Sequence, residues 1–158
     1  SGFKNNNCDI YGGLYQWDEM MQYHTADNGI IGTTQGVCPI GWHIPTSSEW
    51  LTLIYYLGGP DVAGGKLKET GTAHWQSPNI DATNESGFSA LGGDYRVNLN
   101  NFCSSVKSFG VWASSTSIIP YCMTYLSGAV TNELPCISFS NEISGSSVRC
   151  VKDPPKNK

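Results

Sequence analysis

The chain has 158 residues and a formal net charge of −4, a length that suits one domain around one hydrophobic core. Charged residues make up 14% of it, against roughly 25% in an average soluble domain; Ser, Thr, Asn and Gly fill the gap, with 11% aromatics. There is no Lys/Arg cluster to neutralise phosphates, which argues against a nucleic-acid partner, and no apolar run approaches the roughly 18 residues needed to span a bilayer.

In chain order, Leu14, Trp17, Met20 and Met21 fall on one side of a predicted helix over Leu14–Tyr23, with Asp18 and Glu19 near its positive end. The stretch from Val37 to Pro45 reads as a short extended segment between Pro39 and Pro45. Thr46 and Glu49 form a capping box, and Trp50, Leu53, Ile54 and Leu57 follow at i, i+3, i+4 and i+7, so a second helix is expected over 46–57. Gly58-Gly59-Pro60 is expected to stop it. Trp17, Trp42, Trp50 and Leu53 sit in these patterned segments and are assigned to the core, outside any ligand contact. A helical turn is expected around Val62–Glu69, weakened by Gly64-Gly65.

After Gly71 the chain becomes rich in Thr, Ser, Asn and Gly. Short apolar stretches at 87–91, 111–115, 121–126, 136–139 and 148–151 read as strands, separated by turns such as Ser127-Gly128 and Ser144-Gly145. Helices followed by antiparallel strands define an α+β domain over residues 1–153. The tail beginning at Asp153 reads as a frayed end, with 154–158 disordered.

Six cysteines stand at 8, 38, 103, 122, 136 and 150, without a C-x-x-C pair. Wide, even-numbered spacing in a low-charge chain favours disulfides and an oxidising compartment over a metal cluster, with buried free thiols as the alternative. Six cysteines allow 15 connectivities, so the spacing leaves the pairing open.

Six ordered segments carry a family resemblance: Tyr11–Trp17, Cys38–Thr46, Gly64–Glu69, Ala82–Phe88, Trp112–Thr116 and Ser147–Asp153. Together they resemble the Fibrobacter succinogenes major paralogous domain, found mainly in surface and secreted proteins of Bacteroidetes and Fibrobacteres. That family is in turn similar to the formylglycine-generating-enzyme branch of the C-type-lectin-like fold. The resemblance implies two helices packed on small, irregular antiparallel sheets, with a disulfide between Cys38 and Cys150. It further implies a secreted or outer-surface location within a longer surface protein, and a family strand region upstream of Ser1. Ser146 stands where the family usually has an aromatic residue.

Catalysis needs a nucleophile, a base and an orienting group, and His24, His43 and His74 are each isolated from any such motif. His43 reads as a satisfied core or boundary histidine, and no pair of cysteines maps onto the active-site pair of the formylglycine-generating enzymes. Calcium is the one cofactor considered: Asn79, Asp81, Asn84 and Glu85 cluster oxygen ligands, but Asn and Asp capping their own turns is the preferred reading, so no cofactor is assigned. A binding or adhesion module for a glycan or protein is therefore expected, with a structural or pilus subunit and an enzyme as alternatives. Candidate contacts are the unpatterned apolar residues of the second half with one acid: Ile118, Ile119, Tyr121, Met123, Leu134, Ile137, Glu142 and Ile143. Related lectin-fold proteins are targets of diversity-generating retroelements, and the mixed composition between Ser117 and Ser146 would suit such a variable region.

Overall fold

The structure is a computed structural model that describes residues 7–93, 95–98, 101–102, 107–116, 121–124 and 145–155. In chain order it forms α1 (Asn7–Tyr11), β1 (Tyr15–Gln16), α2 (Trp17–Met20), β2 (Trp42–His43), α3 (Ser47–Tyr56) and α4 (Pro60–Leu67). Six strands follow: β3 (Arg96–Asn98), β4 (Asn101–Phe102), β5 (Phe109–Trp112), β6 (Tyr121–Thr124), β7 (Gly145–Ser146) and β8 (Val151–Lys152). The strands pair antiparallel in three small sheets, ordered β1-β7-β3-β4, β2-β8 and β5-β6. Two of the sheets join the first third of the chain to its last residues, Tyr15 facing Ser146 and His43 facing Val151. This is the expected α+β architecture, although β1 and β2 lie among the helices rather than after them.

The second helix forms as its sequence dictates. Thr46 accepts from the Glu49 amide, and the Glu49 carboxylate accepts from the Thr46 amide, so both arms of the capping box are present. Trp50 and Ile54 are buried, Leu57 is buried at the C-cap and Leu53 is half-buried against them. They pack with Ala63, Leu67, Trp75, Ala90 and Trp112, and each fully buried large side chain contributes roughly 1.5–3 kcal/mol through its removal from water. A second cluster gathers Met20, Met21, Cys38, Ile44 and Ala113, with Trp17 and Val148 against it. The indole N–H groups of Trp17, Trp50 and Trp75 donate to the carbonyls of Ser114, Ala113 and Ala90, so the half-buried ring of Trp17 and the buried rings of Trp50 and Trp75 each keep a hydrogen bond.

Several local expectations are corrected. The helix expected over Leu14–Tyr23 is only the four-residue α2: Tyr15–Gln16 is drawn into pairing with β7, and Gln22 and Tyr23 take left-handed φ of 51° and 61°, which ends the helix. Pro60 does more than stop α3; it occupies the first turn of α4, where its missing N–H costs nothing. The glycines expected to weaken α4 are a packing requirement, because a Cβ on Gly65 would run into the Asp81 backbone. No strand forms over 87–91; Ala90 makes only an isolated bridge with Lys68. Of the stretch 111–115, only Val111 and Trp112 lie in β5. Gly145, expected in a turn with Ser144, belongs to β7. The stretch 136–139 and the turn at Ser127-Gly128 lie outside the described residues.

Cys38 and Cys150 form the disulfide implied by the resemblance, closing a separation of 112 residues. Cys8 carries a free, exposed thiol. Cys122 lies on β6 opposite Val111, while Cys103 and Cys136 fall outside the described residues.

Candidate functional site

The described residues enclose a groove of about 500 Å³ between the loop 27–34 and α3. Ile30, Ile31, Leu53, Tyr56, Phe88 and Val151 provide most of its lining, joined by Trp50, Pro45, Thr52, Glu49 and Arg149. Ile30 is 82% exposed and Tyr56 85% exposed, so two large side chains stand in solvent at the groove. Trp50 and Leu53, which pattern alone assigns wholly to the core, serve both roles: their packed faces hold α3 down while they also line the groove.

The loop that carries Ile30 and Ile31 is built around Asp27. Its Oδ1 accepts from the Gly29 amide, and its Oδ2 accepts from the amides and hydroxyls of Thr33 and Thr34 at 2.8–3.3 Å. Partial burial alone would raise the Asp27 carboxyl, but these donors outweigh it and hold the pKa below the usual carboxylate range. The Asp27 amide in turn donates to the Ser115 carbonyl, fixing the loop to the second half of the chain.

On the α3 side the anchor is His43, 1% exposed and placed by β2. Its Nδ1 lies 2.7 Å from an Asp153 oxygen and its Nε2 lies 2.8 Å from Glu49 Oε1. The other Glu49 oxygen accepts from the amides of Gly32 and Thr46. Burial would lower the His43 pKa, but the hydrogen bonds and charges of the two carboxylates prevail and raise it. The isolated histidine is thus a satisfied buried one, as its surroundings suggested. Asp153, by contrast, is not frayed: besides holding His43, its amide donates to the Gly41 carbonyl.

Arg149 closes the groove. Its guanidinium carbon lies 4.3 Å from the Phe88 ring centroid, and Nη2 donates to the Phe88 carbonyl at 2.8 Å. Phe88 meets Trp50 and Trp112 edge-on at 6.0 and 5.8 Å, so the arginine rests on an aromatic cluster. A smaller cavity of about 310 Å³, lined by Ile10, Tyr11, Leu91 and Trp112 among others, reaches the same arginine.

Of the contact residues expected from sequence, Tyr121 and Met123 lie on β6, opposite Trp112 and Gly110 of β5. Ile118, Ile119, Leu134, Ile137, Glu142 and Ile143 lie outside the described residues. The oxygen-rich cluster is only partly consumed by its own turns, because Asn79 Oδ1 is buried with no hydrogen-bond partner among the described residues. The Asn79 amide donates to the carbonyls of Glu69 and Gly71, Asn84 bonds Ser89 through both ends of its amide, and Glu85 pairs with Lys66 at 3.5 Å. Among the described residues no helix is long and apolar enough to cross a membrane.

Sequence reasoning missed Ile30, Ile31 and Tyr56. A signal was present: Ile30 and Ile31 are adjacent β-branched residues inside Asp-Asn-Gly…Gly-Thr-Thr, a context of turn formers where neither helical nor strand periodicity explains them.

These features define a disulfide-tied α+β domain whose rigid frame presents an apolar groove. The chain belongs to the Fibrobacter succinogenes major domain family, whose model matches residues 2–152. No curated protein and no solved structure matches it.

Proposed function

We propose that this domain is a non-enzymatic recognition module of the secreted or outer-surface kind, with a C-type-lectin-like fold, and that the groove between Ile30–Ile31 and α3 is a ligand contact. The observation that carries this reading is the groove itself: about 500 Å³, lined mainly by apolar side chains and flanked by exposed Ile30 and Tyr56. Cavities of this size and character on rigid scaffolds are where ligands are usually held, and large apolar groups left in solvent mark interaction surfaces. The Asp27 loop and the capped α3 supply that rigidity. The Cys38–Cys150 bridge accords with an oxidising compartment. His43, whose two ring nitrogens are both engaged by carboxylates, is spoken for structurally, which favours binding over acid–base catalysis. The residues from Ile118 to Ile143 remain the second contact surface of the proposal, and a variable one if diversified.

Glycan and protein arrays probed with the full chain test the reading. Ligand binding is expected, with loss of tenfold or more in Ile30→Asp and Tyr56→Asp variants whose stability changes by no more than about 0.5 kcal/mol. Binding that survives both substitutions and falls on changing Tyr121 or Ile137 would move the site to the second half. Absence of any ligand, with self-assembly through the same faces, would favour a structural subunit instead.

A further inference from the structure

We infer that the groove takes a ligand whose apolar body ends in a carboxylate, the charge being received by Arg149; the inference rests on the groove being a ligand site. The apolar lining supplies few hydroxyl or amide partners, which disfavours a sugar ring and suits an alkyl or aromatic chain. The polar groups that do line it are nearly all committed. Both Glu49 oxygens are occupied, by His43 on one side and by the Gly32 and Thr46 amides on the other. The Thr52 hydroxyl donates to the Ser48 carbonyl, and the Trp50 indole donates to the Ala113 carbonyl.

Arg149 is different. A guanidinium has five N–H donors in a planar fork, and the one hydrogen bond found for it here goes to the Phe88 carbonyl. Among the described residues no carboxylate pairs with it. Arg149 is exposed at the groove, so the free side of the fork is open to an anion arriving from solvent. The Phe88 ring and carbonyl together restrain the guanidinium, and a restrained fork loses less rotamer freedom when it closes on a planar carboxylate. The groove therefore joins an apolar trough to a cation that pairs with no carboxylate among the described residues.

The test is calorimetric titration of the full chain with octanoate, octan-1-ol and octylammonium below their aggregation limits. Octanoate should bind, with the alcohol and the amine weaker by about tenfold or more. Arg149→Gln should remove that preference by weakening octanoate far more than octanol, and Arg149→Lys should keep part of it. Should Arg149→Gln lower the melting temperature, Ile31→Glu serves instead: it brings an anion into the lining without touching the Phe88 stack. It should weaken octanoate and strengthen octylammonium. A short peptide ending in Leu-Phe, compared with its C-terminal amide, separates a peptide terminus from a fatty-acid-like source by which acid binds more tightly. Equal affinity for all three octyl probes, octanoate binding indifferent to both variants, or no octanoate binding at millimolar concentration would each overturn the inference. Failure here, with array binding still lost in Tyr56→Asp, would leave the groove as a recognition site and remove only the carboxylate.

Discussion

His43 Nε2 lies 2.8 Å from Glu49 Oε1, and the same glutamate closes the capping box of α3, so one carboxylate joins a buried imidazole to the start of the principal helix. Through its other nitrogen His43 reaches Asp153, directly after β8. The neighbouring β2 and α3 thus share one hydrogen-bonded junction with Asp153, 110 residues on from His43, and the Gly32 amide on Glu49 extends it to the loop that carries Ile30.

That junction makes stability depend on pH in a defined direction. The folded pKa of His43 is raised above its ordinary value near 6.5, so the native state holds its proton more tightly than the unfolded chain. The resulting stabilisation is fully present below the unfolded pKa and is lost as pH rises through the folded one. Denaturant midpoints measured from pH 5 to 9 should fall across that window, and His43→Gln should flatten the fall. An NMR titration of His43 with a midpoint below 6.5 would contradict the assignment. Replacing His43 by Ala should cost about 1–3 kcal/mol, since the largely buried Glu49 carboxylate loses its partner.

The disulfide should be the largest single contributor tying the ends of the domain together. Cys38 and Cys150 are 112 residues apart, and closing a loop of that length restricts the unfolded chain by about 4–5 kcal/mol in the chain-entropy picture. Reduction, or a Cys38→Ser/Cys150→Ser double variant, should lower unfolding free energy by an amount of that order. Mass spectrometry of unreduced peptides should recover the Cys38–Cys150 pair with Cys8 alkylatable. A bond from Cys38 to any other cysteine would refute the pairing.

What was legible in the sequence were features with a local cause. Thr46, Glu49 and the spacing of Trp50, Leu53, Ile54 and Leu57 specify α3 through capping and periodicity, and the helix forms where they place it. The Met20–Met21 pair is core, as read, but the helix around it is short because Tyr15 and Gln16 pair with Ser146 and Gly145 near the other end of the chain, a non-local effect that periodicity does not encode. Asp153 shows the same limit: next to Pro154 it looks like a tail, and only the fold brings His43 against it. The groove was missed for a related reason. Core position and ligand wall are not exclusive, since Trp50 and Leu53 are both, and Ile30 and Ile31 are apolar, unpatterned residues of the first half.

The last prediction separates the support of the groove from its contact surface. Asp27 does not line the groove, yet its two oxygens gather the Gly29, Thr33 and Thr34 amides that bracket Ile30 and Ile31. Asp27→Ala leaves those N–H groups without their acceptor, and a loop so loosened should cost about 1–3 kcal/mol. Ile30→Asp, at an 82% exposed tip, should cost almost nothing. Both should weaken ligand binding, one by loss of order and the other by loss of contact, and amide hydrogen exchange distinguishes them: protection of Thr33 and Thr34 should collapse only in Asp27→Ala. Because the Asp27 pKa is held low, its stabilisation is present above the unfolded carboxyl value near 3.8 and is lost only as pH falls through the lower folded value. Thr33 and Thr34 protection should therefore persist at pH 4 and fail in stronger acid. Protection that is indifferent to Asp27→Ala would show that the loop is ordered by something other than this carboxylate.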